Sequence, residues 1–230
     1  MFKTILSGYQ AVVFDLDGTV LDNQKIWDDA IKKVLGKYII SEEPNWGHKG
    51  LPLLTLIEEI KSVNEISYDF KIDWAYTEIN REYFKNFGDI EIRPGFIELA
   101  ERLLKDEKRL VLASNSDKEI VNETLERLDF KKYFEFVLTR SDVKNPKPSP
   151  DIYLLAQKKL GVIPERILIF EDSFVGFMAA EEAKINSILV VDPEVYAGDF
   201  GSNTKVFVRD FFEVLDLIDE DYEDFFVSNL

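Results

Sequence analysis

The chain has 230 residues, of which 46% are hydrophobic and 31% charged, a composition that builds a packed core and argues against disorder. Its 44 acidic residues against 28 basic ones give a formal net charge of −16. That charge repels nucleic acids and anionic membranes, and it repels a phosphorylated ligand too unless a local cation intervenes. There is no cysteine and one histidine, His48. Thiolate nucleophiles, disulfides, cysteine-ligated zinc and three-histidine centres are thereby excluded, which leaves carboxylates, lysines, hydroxyls and oxygen-ligated metals.

From the start, Met1 to Gln10 lacks a signal-peptide core, being interrupted by Lys3, Ser7, Gly8 and Gln10. No apolar run approaches the ~20 residues that cross a bilayer, so a cytoplasmic location without membrane contact is expected. Ala11-Val12-Val13-Phe14 reads as a buried strand that runs into Asp15 and a tight turn at Gly18. From about Leu21 to Gly88 the strong signals are helical: Trp27, Ile31, Val34 and Leu35, then Leu53 to Ile60, then Trp74 to Phe87. This stretch reads as a helical insertion that returns to the core at Arg93-Pro94-Gly95.

Beyond it, short apolar runs alternate with amphipathic helices. The runs are Leu110 to Ala113, Phe134 to Leu138, Ile167 to Phe170 and Ile188 to Val191, with Val206 to Val208 as a short edge strand. The helical patterns are Phe96 to Leu104, Ile120 to Leu128, Ile152 to Leu160 and Phe174 to Ala183. Such alternation predicts an α/β fold with a Rossmann-like, doubly wound parallel sheet. Residues 1–20 and 89–230 would form the core domain, and 21–88 an inserted helical cap. Phe211 to Phe226 reads as a terminal helix with an acidic face.

In such a sheet, ligands bind at the carboxyl ends of the strands. The first strand ends in Asp15-Leu16-Asp17-Gly18-Thr19, the second in Ser114-Asn115-Ser116 and the fourth in Glu171-Asp172-Ser173. Asp15, Asp17 and Asp172 would repel one another without a cation, and a few oxygen ligands suit magnesium. A carboxylate such as Asp15 can attack phosphorus, and Asp17 can exchange a proton with the leaving group and water. Ser114 and Lys147 can hold the phosphoryl oxygens. Each has an ordinary alternative: Ser114 as a helix N-cap, Lys147 as a solvated loop lysine, and Asp172 and Ser173 as caps of the helix that follows. Their combination carries the weight.

The sequence resembles the haloacid dehalogenase-like hydrolase superfamily, with four motifs in order over nearly the whole chain. They are Asp15 to Asp22, Ala113 to Ser116, Lys147 to Tyr153, and Phe170 to Ser173 followed by Gly176, Ala179 and Ala180. The resemblance implies a nucleophile at Asp15 and an acid/base at Asp17. It implies magnesium held by the Asp15 and Asp172 carboxylates and the Asp17 carbonyl, with Glu171 close by. Phosphate would be bound by Ser114 and Lys147, with help from Thr19 and Asn115. The cap type is that of the phosphoglycolate phosphatase and beta-phosphoglucomutase branch. Departures are Asn23 where Ser is frequent, Asn145-Pro146 where Gly is common, and Ala183-Lys184-Ile185 for Ala-Gly-Met.

Asp17 argues for phosphate ester chemistry, because dehalogenase and phosphonate-cleaving relatives lack an acid there. The cap stretch Trp46-Gly47-His48-Lys49-Gly50-Leu51-Pro52 has no arginine, which favours a phosphatase over a phosphomutase. His48 and Lys49 are the candidate substrate contacts in the cap, the alternative being a surface His48 and a Trp46 packed in the cap core. A monomer or homodimer acting on a small phosphate ester is expected. A binding protein that has kept the fold and lost the reaction is the reading from another class.

Overall fold

The computed structural model describes Leu6, residues 8–190 and residues 207–219. Lys3, Ser7, Val191, Asp192-Pro193, Val206 and the part of the C-terminal segment after Asp219 lie outside the described residues, so expectations for them are left there. Six parallel strands form one sheet: β1 (Ala11–Phe14), β4 (Arg109–Ala113), β5 (Phe136–Leu138), β6 (Ile167–Glu171), β7 (Asn186–Val190) and β8 (Phe207–Val208). Their order across it is β5-β4-β1-β6-β7-β8. The strand that opens the chain therefore lies inside the sheet, paired on one side with Arg109 to Leu112 and on the other with Ile167 to Phe170.

Strand residues alternate between two cores, as a pleated ribbon requires. Val12 and Phe14, with Leu110 and Leu112, face α4 (Phe96–Lys105), α5 (Lys118–Arg127) and α8 (Phe211–Asp219). Ala11 and Val13, with Val111 and Ala113, face α6 (Asp151–Leu160) and α7 (Phe174–Ala183). Helices on both faces make the sheet doubly wound. Phe14 anchors the first core, with the rings of Phe96, Phe170 and Phe211 at 5.4, 5.1 and 5.9 Å. Such pairs add about 0.5–1.5 kcal/mol each beyond the area they bury.

Between β1 and α4 the chain leaves the sheet. A two-stranded antiparallel ribbon, β2 (Leu21–Asp22) with β3 (Glu91–Ile92), brackets the departure and the return. The segment between holds α1 (Gln24–Leu35), α2 (Leu53–Val63) and α3 (Ile72–Lys85). These helices bury a third cluster, including Ile31, Val34, Leu35, Ile57, Ile60 and Ile79, that is separate from the two sheet cores. No helix among the described residues is long and apolar enough to cross a membrane.

Candidate active site

Three strands deliver acids and hydroxyls to one edge of the sheet. Asp15 follows β1 directly, and its backbone N–H donates to the Phe170 carbonyl at 2.9 Å, so its side chain starts beside the end of β6. β4 delivers Ser114 and Asn115, and β6 delivers Glu171 and Asp172. One carboxylate oxygen each of Asp15, Glu171 and Asp172 lie within 4.8 Å of one another. Three carboxylates this close need cations, and the chain itself supplies one.

That cation is Lys147, which is fully buried. Its Nζ donates to Asp15 Oδ1 at 2.6 Å, to Glu171 Oε1 at 2.6 Å and to the Ala113 carbonyl at 2.9 Å, which uses all three of its protons. Burial alone would lower the lysine, but the Asp15 and Glu171 carboxylates raise it to about 12, so it stays charged. Burial holds Asp15 well above the usual carboxylate range, against the pull of Lys147 and with the help of Glu171 and Asp172. Burial and the Glu171 charge push Asp172 up to about 7. One lysine against three carboxylates leaves a deficit of two positive charges in an all-oxygen donor set, which fits a hard divalent cation.

Glu171 differs from the other two acids. Oε1 accepts from Lys147 and from the Tyr153 hydroxyl, and Oε2 accepts from the Ser173 hydroxyl at 3.2 Å and the Asp172 N–H at 3.2 Å. Both its oxygens are thus engaged by the protein. Thr19, fully buried, donates its hydroxyl to Asp172 Oδ1 at 3.1 Å, so it stands behind an acid and not among the cavity-lining residues. Gly18 has a φ of +85°, and a Cβ there would sit 2.0 Å from Asp172 Oδ2. Any other residue would both strain the turn and displace that carboxylate.

Asp17 points the other way, toward the cap. Oδ1 accepts from Asn23 Nδ2 at 2.7 Å and from Trp27 Nε1 at 3.0 Å; Oδ2 accepts from the Ser116 hydroxyl at 2.6 Å. Ser114 Oγ lies 3.4 Å from the same Oδ2. The Asp17 carbonyl accepts from Gln24 Nε2 at 3.3 Å. Asn23 also accepts from the Gly18 N–H at 3.0 Å and donates to the Tyr83 hydroxyl at 2.9 Å. Trp27 stacks on Tyr83 with ring centres 3.9 Å apart. Both α1 and α3 are therefore tied to the acid that follows β1.

A cavity of about 260 Å³ lies between sheet edge and cap, lined by Asp15, Asp17, Ser114, Asn115 and Lys147 on one side. The cap loop closes the other side and includes His48 and Lys49. Asn115 Nδ2 donates to the Gly50 carbonyl at 2.9 Å, which fastens that loop to the sheet edge. Gly50 has a φ of +81°, and a Cβ would lie 2.6 Å from Ser173 Oγ, so the loop can seat here only with glycine. His48 bonds Glu59 and has a largely exposed side chain, while Lys49 Nζ lies 3.5 Å from Asp28. Trp46 is half-buried and packs against the cap cluster while also lining the cavity.

The structure thus brings Asp15, Asp172, Glu171 and Lys147 into one cluster and sets Asp17, Ser114 and Asn115 on the cavity wall. Sequence reasoning assigned no part to Asn23, Trp27, Ser116 or Tyr153. Asn23 stood out only as a departure from Ser. Ser116 had a weak signal as the second hydroxyl of Ser114-Asn115-Ser116. Trp27 had none, because its helical spacing assigned it to the cap core.

Residues 12–190 match the family model described as haloacid dehalogenase-like hydrolase. A phosphorylated carbohydrates phosphatase of Thermotoga maritima is 33% identical over 190 residues, covering 78% of this chain and 83% of its own. The fructose-1-phosphate phosphatase of Escherichia coli (strain K12) is 25% identical over 182 residues, covering 78% of this chain and 95% of its own. Among solved structures, a beta-phosphoglucomutase from Clostridium difficile superposes with a TM-score of 0.77 at 25% identity, covering 95% of this chain and 99% of that one.

Proposed function

Since the chain belongs to the haloacid dehalogenase-like hydrolase family and is a phosphatase, we propose that it hydrolyses small phosphate esters, sugar phosphates foremost, through a covalent phosphoryl group on Asp15. The observation that carries this reading is the Lys147 bridge between Asp15 and Glu171 beside Asp172. The lysine pulls against the burial that favours a proton on Asp15, and it stands beside a charge deficit that suits magnesium.

An Asp15 oxygen attacks phosphorus, and the bond to the leaving oxygen breaks. Asp17 gives that oxygen its proton through the wall formed with Ser116. Water then attacks the phosphoryl group on Asp15, Asp17 takes the water's proton, inorganic phosphate leaves and Asp15 is restored. The Ser114 hydroxyl orients the phosphoryl oxygens from the wall, while the Asn115 side chain, its two amide protons on the Gly50 and Lys147 carbonyls, holds the cap loop and the lysine segment in place around them. Lys147 offsets the negative charge that gathers there. Asp15 and Asp172, with the Asp17 carbonyl, would hold the magnesium ion, which supplies charge neutralisation to the approaching ester. Closure of the cap, residues 21–88, over the sheet edge excludes bulk water from the cavity.

The test is phosphate release from fructose 1-phosphate and p-nitrophenyl phosphate. Wild type turns over with magnesium and stops with a chelator. Asp15→Asn loses at least about 10³-fold while its circular dichroism is unchanged, and Lys147→Ala loses about 10²–10³-fold. Full turnover by Asp15→Asn would sink the covalent reading. Conversion of a hexose 1-phosphate to its 6-phosphate without phosphate release would make the protein a phosphomutase instead.

A further inference from the structure

The half of the cavity away from Asp15 has a composition of its own. Trp27 and Ile31 of α1, Trp46 of the cap loop, Leu53 and Leu56 of α2 and Ile120 of α5 form an apolar, two-indole cradle. Apart from the exposed Lys32, the ionisable groups on this half already have partners. Lys49 lies 3.5 Å from Asp28, and His48 bonds Glu59. Asp117 accepts from the Tyr76 hydroxyl at 2.6 Å and from Arg140 at 3.2 Å. Lys32 of α1 lines the cavity but is exposed, so water screens it.

Resting on the phosphatase reading above, we propose that this half of the cavity selects phosphomonoesters of neutral alcohols and turns away substrates with a second anionic group. A ring or chain with an uncharged C–H face can lie on the indoles and leucines, while its hydroxyls donate to the Asp28 and Asp117 carboxylates at the edge. Among the described residues, a second phosphate or a carboxylate meets no buried, unmatched cation there. To be held there it would have to part the pairs that Asp28 and Asp117 make, in a protein whose net charge of −16 supplies no compensating field. The phosphate that reacts is exempt, because Lys147 and the divalent site lie at the other end. The discriminating residues are Asp28, with its lysine neighbour, and Glu59, with His48. They keep the basic side chains of the cap loop, Lys49 and His48, paired.

The test compares kcat/KM within pairs that share a carbon skeleton: fructose 1-phosphate against fructose 1,6-bisphosphate, and glycerol 3-phosphate against 3-phosphoglycerate. The member without a second anionic group should be favoured about 20-fold or more. Asp28→Asn and Glu59→Gln then unmask Lys49 and His48, and each should shrink that ratio to about five-fold or less by raising turnover of the anionic member. Both positions are partly solvent-accessible, with side chains 34% and 24% exposed, so the folded protein tolerates the change, as a melting curve checks. Equal efficiency on both members in wild type overturns the selectivity. A wild-type ratio that neither variant moves overturns its assignment to these matched charges. Loss of turnover on every ester brings down the phosphatase reading instead, which is a separate result.

Discussion

Asp17 is the residue on which cap and core meet. Its Oδ1 faces two groups that can only donate, the Asn23 amide nitrogen and the Trp27 indole nitrogen. A proton carried by this acid must therefore sit on Oδ2, beside the Ser116 hydroxyl. Trp27→Phe keeps an aromatic ring stacked on Tyr83 but removes one donor. A hydrogen bond to a charged group is worth about 1.5–3 kcal/mol, and Asn23 and Ser116 remain, so kcat should fall about ten-fold with KM changed less than about two-fold. Steady-state kinetics on fructose 1-phosphate checks this; an unchanged kcat would free Asp17 of any dependence on the indole. The acids themselves were legible from sequence, because Asp15, Asp17, Asp172 and Lys147 follow apolar strands or sit in a recognisable motif. Their partners were not. Asn23 does three jobs with one amide, toward Gly18, Asp17 and Tyr83. A single hydroxyl at that place lacks the amide's separate acceptor and donor ends, so only the folded chain explains the departure from Ser.

At the scale of elements, the closed arrangement of cap on sheet rests on few polar ties. Tyr76 of α3 donates to Asp117 Oδ2 just ahead of α5, and Asn115 holds the loop at Gly50. Burial and the Asp117 charge raise the Tyr76 hydroxyl to about 12, so it remains a donor throughout the working range. Tyr76→Phe removes this tie and leaves Asp117 paired with Arg140. Losing about 1 kcal/mol of closure lowers the competent fraction, so KM should rise about five-fold with kcat nearly constant. An unchanged KM would mean that the tie does not contribute to closure. The elements joined this way were mostly readable beforehand. β1 lies where the apolar run predicts, and β5 begins two residues later than expected, at Phe136, because Phe134 caps the preceding turn. The β2–β3 ribbon went unread, since two-residue strands show no alternation. Lys184, standing where the resemblance expects Gly, still takes the left-handed turn that ends α7, with a φ of 58°. The geometry of the cap survives even where its usual residue does not.

For the whole molecule, the charge deficit at the sheet edge links folding, protons and metal. Asp15 is held above its ordinary range and Asp172 is raised to about 7. In the metal-free protein a carboxyl raised in this way binds a proton in the folded state that the unfolded chain has already lost, between its ordinary value of 3.8 and about 7. Stability from this source is full below the lower limit, falls as pH rises through the window and is flat above it. A divalent cation reverses the trend, because at pH 6 it must displace that proton and at pH 8 it need not. Magnesium should therefore raise the melting temperature more at pH 8 than at pH 6. At a hundred-fold excess over its dissociation constant the gain is about 2.7 kcal/mol, or several degrees for a chain of this size. Thermal melts with chelator and with magnesium at the two pH values measure the difference directly. Asp172→Asn should leave little magnesium shift at either pH. Equal shifts at pH 6 and pH 8 in wild type would mean that the cation does not compete with the proton on these acids, and that the sheet edge is not where it binds.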